Sequence, residues 1–395
     1  MPWLPARGSV DDAPGPSPRR LVPRRADADR TPGDHTPGDR VVSRVAVLGA
    51  GGIGCGAVAL LSERAHTPVL WSPSGRGTAA FADRQALQAE GMLTGQYHPV
   101  IAADCAAALH GADAVMLAVP GYGHRAVLDQ VAAHLRSGQP MIISSHMSLS
   151  ALYLAQRLAA RGVRAPIAAW GTTITTGRRL PGGAVRVSNI REKVDIAALP
   201  RADIDALTAL CTELFGDRFV PRDDLIAVSL SNVNPQNHLG IALCNFTRIE
   251  NAEPWANWSG LTPSVGRLIE ALDAERLAVA AAYGAKVRTV RDHFHLSFGV
   301  PHGPVGDAGA ILAARDPNPG PASMETRYIT EDVPFGLVPS TVLARIAGVA
   351  MPLHEAGIAM FSALYGRDFR AENDLLPELG LDGLSVDALR RQVRG

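Results

Sequence analysis

A chain of 395 residues is long enough for two domains, each with its own core. Its 38 basic residues balance 38 acidic ones, so no net charge draws it to nucleic acid or to an anionic membrane surface. Cys55, Cys105, Cys211 and Cys244 contain no C-x-x-C pair, which argues against a disulfide framework or a thiolate zinc site and for free thiols in a reducing, cytoplasmic compartment.

Residues 1–43 are rich in Pro, Arg, Asp and Gly, and Thr31-Pro32-Gly33-Asp34 recurs as Thr36-Pro37-Gly38-Asp39. So little apolar surface predicts a disordered tail. No apolar run reaches the length of a membrane span, and the start lacks the apolar core of a signal peptide. Val45–Leu48 then reads as a short buried strand. Gly49, Gly51 and Gly54 follow in G-x-G-x-x-G spacing, leading into a small-residue helix through Leu60 and Leu61. Between a strand and a helix this spacing is the dinucleotide-binding fingerprint. Gly49 permits the tight turn, Gly51 lets backbone approach a pyrophosphate, and Gly54 lets the helix pack on the strand. A glycine-rich turn with no ligand is the plainer alternative.

Pro68–Trp71 is a second strand. Ser72 then stands where an NAD-binding fold carries the acidic residue for the ribose hydroxyl, and Arg76 follows in a Gly-rich loop. Without that carboxylate, and with an arginine able to pair with a 2′-phosphate, NADP(H) is the expected cofactor and NAD(H) the alternative. A solvated Arg76 is the plainer reading of that residue. Ala114–Val119 is a strand ending at Pro120-Gly121. There Pro120 and His124 either line the nicotinamide or simply end the strand.

A helix at 124–135, a strand at 141–144, a helix at 151–160, strands at 166–170, 184–190 and 194–199, and a helix at 202–214 continue the alternation. The predicted fold class is an α/β Rossmann domain, a doubly wound parallel sheet, over 44–215. After residue 216 strand-like runs vanish. Leu225–Ile249, Val265–Tyr283, Pro339–Tyr365 and a segment ending near Val393 read as helices, so 216–395 is expected to be a mainly α-helical domain. Thr262-Pro263-Ser264 is a helix start, with a capping hydroxyl and proline in the first turn. Ligands of such chains sit in the cleft between the halves, at the carboxyl ends of the strands. His293, His295 and His302 cluster without metal-ligand spacing, so no metal is expected.

Three segments of the helical half carry a resemblance: Asn232-Val233-Asn234-Pro235-Gln236-Asn237-His238; Leu261-Thr262-Pro263-Ser264 leading into Leu268–Arg276; and Arg327-Tyr328-Ile329-Thr330-Glu331-Asp332-Val333-Pro334-Phe335-Gly336. Behind a Rossmann half, and in this order, they resemble the octopine/nopaline (opine) dehydrogenases over nearly everything after residue 43. That family condenses an amino acid with an α-keto acid reductively, using NAD(P)H, to give a secondary-amine dicarboxylate. The resemblance implies His238 as acid/base, Asp332 as its carboxylate partner and Arg327 as the cation for a substrate carboxylate. It implies small-molecule partners, an amino acid and an α-keto acid, with no nucleic acid and no membrane, in a monomer or homodimer.

The residue types suit that chemistry, since imidazole shuttles protons near neutral pH and a carboxylate fixes its tautomer. Each also has a plainer reading: a hydrogen-bonded helix histidine, an exposed acidic pair Glu331-Asp332, and a surface Arg327. Asn232 and Asn234 either touch substrate or terminate helices. Trp170 falls where some relatives carry an acidic residue facing a cationic amine. An amine substrate other than arginine, apolar or aromatic, is therefore expected. Ketopantoate and β-hydroxyacid reductases share the architecture but rely on a lysine in the helical half. The only candidate here is Lys286, after a Tyr-Gly break that reads as a turn. A non-catalytic NADP-binding regulator is the remaining alternative.

Overall fold

A computed structural model describes residues 42–81, 85–315 and 318–395, and residues 42–395 form one compact unit. The tail expected to be disordered lies, up to residue 41, outside the described residues.

The strands are β1 (Arg44–Leu48), β2 (Thr67–Trp71), β3 (Leu87–Gly91), β4 (Gly95–Tyr97), β5 (Val100–Ile101) and β6 (Ala114–Leu117). They continue with β7 (Met141–Ile143), β8 (Ile167–Trp170), β9 (Thr175–Arg179), β10 (Val185–Ile190), β11 (Val194–Leu199) and β12 (Phe219–Pro221). Eight form one sheet in the order β12-β11-β8-β7-β6-β1-β2-β5. It is parallel from β5 to β8, and β11 runs antiparallel against β8. Alternation along β1 shows why both faces are covered. Ala46 and Leu48 enter one apolar core, and Val45 and Val47 enter the other.

Helices α1 (Gly52–Glu63), α2 (Cys105–Leu109), α3 (His124–His134), α4 (Ser150–Ala159) and α5 (Ile204–Phe215) complete the Rossmann half. The sequence read 184–190 as a later strand of this domain without marking a separate sheet. That strand belongs to a second, four-stranded sheet, β4-β3-β10-β9, seated on α1. Gly52 and Gly56, one turn apart, permit that seat: a Cβ would fall 2.5 Å from Gly177 O at the first and 2.7 Å from Thr175 Oγ1 at the second. The short β3 and β4 carry no long apolar run that would announce them.

The second half contains α6 (Leu225–Ser231), α7 (Asn234–Cys244), α8 (Phe246–Glu250), α9 (Pro263–Ala282), α10 (Val290–Phe298) and α11 (Val305–Arg315). Then come α12 (Arg327–Thr330), α13 (Val338–Ala347), α14 (Pro352–Tyr365) and α15 (Val386–Gln392). Two long helices expected from periodicity are broken. Pro235 fits only a first turn, so Leu225–Ile249 restarts at Asn234, where Asn232 Oδ1 accepts the Asn234 N–H at 3.0 Å. Asn245 ends α7 by donating from its side chain to Ile241 O and Gly260 O. Gly348, at φ +67°, ends α13, and Pro352 opens α14. Thr262 caps α9 as its sequence requires.

The boundary at 216 is also displaced, because β12 extends the first sheet to Pro221. The C-terminal segment returns to the Rossmann half. Leu389 and Val393 are fully buried in the same core as Leu48 and Ile143, and Arg201 N–H donates to Arg394 O at 2.7 Å.

Candidate active site

The glycine turn is shaped for close approach. Gly49 adopts φ +124°, and a Cβ there would lie 2.4 Å from Ala118 O. A Cβ on Gly54 would lie 1.7 Å from Gly49 O, so only glycine lets α1 sit on this turn. Gly51 is exposed and faces open space. Helix α1 starts without a side-chain cap, which leaves its first N–H groups and the positive end of its dipole for a ligand. Ser72 is buried at the end of β2 and accepts the Gly75 N–H at 2.9 Å. The loop folds back, so that a Cβ on Gly77 would meet Ala50 at 2.9 Å and Ser72 Oγ at 3.0 Å; Arg76 stands exposed on it. These residues fit a dinucleotide.

At the end of β6, Pro120 leads into the turn Gly121–Gly123. His124 is fully buried, its Nε2 3.2 Å from Val119 O, and burial pushes its pKa down to about 4. Its ring packs at the strand end, beneath the turn. The turn meets the helical half directly. Gly121 N–H donates to Glu331 Oε1 at 3.0 Å, and Phe335 covers Gly121 so closely that a Cβ there would lie 2.9 Å from it.

The segment that makes this contact carries the rest of the site. His238 on α7 places Nδ1 2.6 Å from Asp332 Oδ2. A carboxylate only accepts, so Nδ1 donates the proton, and in the neutral tautomer this leaves the lone pair on Nε2. The imidazole side chain is 17 % exposed and the carboxylate 9 %, so the ring is reachable and its partner is shielded. Tyr328, one turn before Asp332, stacks flat on the His238 ring at 3.6 Å and 7°. Burial and Asp332 push its phenol up to about 12, so it is a neutral platform. Glu331 and Asp332 are both buried, which removes the exposed acidic pair as a reading. Glu331 also holds Arg327 through Nε, while the Arg327 side chain stays 62 % exposed beside Tyr122 and Phe335. The dyad is followed by a π-helical turn, Val333–Leu337, a form that recurs at functional sites.

Asn232 and Asn234 line a polar cavity of about 50 Å³ between the halves, with Gly171, Arg191, Lys193 and Arg288. Asn232 spends its carbonyl on the backbone turn that starts α7. Trp170 is a correction. Its side chain is fully buried, edge-on to Phe215 at 5.2 Å and 5.0 Å from Phe219, and offers no surface to a substrate. The next residue, Gly171, reaches the cavity in its place. Lys286 is exposed on an open surface with Arg201 and Asp223, away from the dyad. His302 pairs with Asp292 at 2.9 Å, and His295 Nδ1 lies 2.8 Å from Val300 O. Among the described residues no group of three His, Cys, Asp or Glu is placed to hold a metal ion, and no helix is long and apolar enough to cross a membrane.

Sequence reasoning missed Tyr328, Glu331 and Arg191. Tyr328 was legible in principle, standing four residues before Asp332. Glu331 had a local signal in its i,i+4 spacing from Arg327, but its bond to Gly121 and the setting of Arg191 depend on the chain fold.

Residues 221–365 match the family model of the NAD/NADP octopine/nopaline dehydrogenase α-helical domain, and residues 44–147 match that of the NAD-dependent glycerol-3-phosphate dehydrogenase N-terminus. An opine dehydrogenase of Arthrobacter sp. (strain 1C) is 33 % identical over 355 residues, 88 % of this chain and 98 % of that protein. An octopine dehydrogenase solved with NADH and L-arginine superimposes with a TM-score of 0.72 at 18 % identity, over 90 % of this chain and 98 % of the other. A yersinopine dehydrogenase solved with NADP+ gives 0.63 at 16 % identity, over 90 % and 98 %. The chain belongs to the opine dehydrogenase family, NAD(P)-dependent oxidoreductases acting on the CH–NH bond of amino-acid derivatives.

Proposed function

We propose that the protein catalyses NAD(P)H-dependent reductive condensation of an amino acid with an α-keto acid, or the reverse oxidation, with His238 as the acid/base. The carrying observation is the His238–Asp332 contact at 2.6 Å, on a segment hydrogen-bonded to the end of β6 through Glu331 and Gly121. Gly49, Gly51 and Gly54 would hold the pyrophosphate, Ser72 and Arg76 the adenosine ribose, and Pro120 would flank the nicotinamide. When bound, the reduced nicotinamide supplies the hydride that the imine carbon receives.

The neutral His238 takes a proton from the substrate ammonium at Nε2, freeing the amine to attack the keto carbon. After the adduct's nitrogen proton has passed to its oxygen, the imidazolium, stabilised by Asp332, returns its proton to the carbinolamine hydroxyl as water leaves and the protonated imine forms. Tyr328 holds the ring plane throughout. Arg327, held at Nε by Glu331, offers its outer N–H groups to the keto-acid carboxylate. We assign NADP(H) as the preferred cofactor, because a buried serine at the end of β2 presents no charge against a 2′-phosphate and Arg76 lies exposed nearby. The amine partner is not cationic, since Arg191, Lys193 and Arg288 line the cavity beside α7.

The test is oxidation of NADPH and NADH across a matrix of α-keto acids and amino acids, each keto acid also run alone. Oxidation requiring both partners is the expected result. Oxidation with a keto acid alone would assign the protein to carbonyl reduction, and faster turnover with arginine than with leucine or phenylalanine would overturn the assignment of the amine.

A further inference from the structure

The cavity at the carboxyl edge of β8 is lined by three cations, Arg191, Lys193 and Arg288, against one carboxylate, Asp195. Asp195 is already committed, accepting from Arg222 at 2.7 Å and from Arg288 at 3.0 Å. Arg191 has no such partner: its Nε is buried and unbonded among the described residues, and burial lowers its pKa. A buried donor without an acceptor is costly unless a ligand supplies one. The neighbouring His293 reports the same field, since burial together with Arg191, Arg288 and Arg276 pushes its pKa down to about 3.

These cations cannot serve the cofactor's phosphates. The cavity borders β8 and β11, and β8 lies three strands from β1, whose turn would hold the pyrophosphate, and four from β2, roughly 14 Å and 19 Å across the sheet. It is close to the dyad instead. Asn234, on its wall, precedes His238 by one turn of α7, about 6 Å along the axis. The positive end of α7 begins at this wall, and the asparagine side chains add polar groups. The walls are fixed from behind. Arg276, fully buried, donates to Asp273 at 2.6 Å, to Arg288 O at 2.6 Å and to Leu230 O.

The geometry points to an anion subsite: Arg191, with Lys193 and Arg288, receives a carboxylate of the amine substrate on the side of the cleft away from Arg327. This rests on the condensation reading above. It turns the apolar amine expected from the sequence into one held by a carboxylate, either its α-carboxylate or a side-chain carboxylate. A cavity of about 50 Å³ suits such a small group.

The experiment is steady-state kinetics of wild type, Arg191→Met and Arg191→Lys with pyruvate, NADPH or NADH, and four amines: L-leucine, L-leucinamide, L-glutamate and L-glutamine. Arg191→Met is expected to raise the amine KM roughly 10- to 100-fold, with the KM for pyruvate and reduced cofactor unchanged and partial rescue by Arg191→Lys. Loss of the leucine-over-leucinamide preference assigns the α-carboxylate; loss of only the glutamate-over-glutamine preference assigns the side chain. Both preferences unchanged in Arg191→Met would overturn the subsite while leaving the condensation reading intact. Should Arg191→Met fail to fold, Lys193→Glu on the exposed rim is expected to raise the same KM about 3- to 10-fold, and no change there would overturn the subsite. If wild type requires no amine, the condensation reading has failed. Calorimetric binding of glutarate to the cofactor-loaded enzyme then decides: binding lost in Lys193→Glu supports the subsite, and no binding by wild type overturns it.

Discussion

Asp332→Asn separates a catalytic dyad from a structural hydrogen bond. The contact to His238 is 2.6 Å and the carboxylate is 9 % exposed, so little water competes for it. A charge-assisted hydrogen bond of this kind contributes about 1.5–3 kcal/mol, which corresponds to roughly 10- to 150-fold in rate if it acts only on the imidazolium. The amide does further harm. Its NH2 can donate to Nδ1, moving the ring proton to Nε2, where a lone pair is needed, and a wrong tautomer costs up to about 10,000-fold. The expected fall in kcat is therefore between about 100- and 10,000-fold, with the Kd for reduced cofactor, read by nicotinamide fluorescence, within a factor of about 3. His238→Ala is expected to fall comparably. The double variant should be no slower than His238→Ala alone, because a carboxylate without its imidazole has nothing to orient. Multiplying penalties, or a kcat for Asp332→Asn near wild type, would refute the dyad.

Gly51→Ala and Gly54→Ala form a second test. A Cβ on Gly51 meets nothing, so stability should stay within about 0.5 kcal/mol while cofactor affinity drops; a Cβ on Gly54 strikes Gly49 O, so Tm should fall sharply. Equal Tm values for the two variants would contradict the turn geometry. Ser72→Asp should lower kcat/KM for NADPH relative to NADH by about 10-fold or more, by setting a carboxylate against a 2′-phosphate; an unchanged ratio would remove Ser72 from the ribose site. His124 and His146 are buried, with pKa values near 4 and 3, lowered by burial and, for His146, also by His124. Below about pH 6.5 the unfolded chain takes up these protons and the folded one does not. Stability should thus decline as pH falls from 6.5 toward 4, by up to about 1.4 kcal/mol per pH unit for each histidine. Urea melts between pH 7 and 5 measure that slope; His124→Gln should shallow it, and an unaltered slope would refute the buried neutral histidine.

The parallel core of the sheet was legible because β1, β2, β6, β7 and β8 are buried on both faces and read as continuous apolar runs. The four-stranded sheet was not, since β3 and β4 have one face in solvent and are punctuated by Gly91 and Gly95. Helix breaks at Asn232 and Gly348 were hidden because apolar periodicity continues across them. At the site, His238, Asp332 and Arg327 were named by motif order, while their geometry depends on contacts 94 residues apart, such as His238 to Asp332. Trp170 misled because a strand's last residue can face the core as easily as the cleft. Arg191 stayed invisible because a buried Nε without a partner is a property of its surroundings.

The return of the C-terminus has a consequence for how such chains diversify. Leu389 and Val393 fill the core beneath β1 and β7, and β12 is supplied from beyond the expected domain border. The halves are thus not exchangeable cassettes. Grafting a foreign nucleotide half onto residues 222–395 would leave α15 without its socket. Recombination at the midpoint of the chain would therefore cut through packing that both halves share.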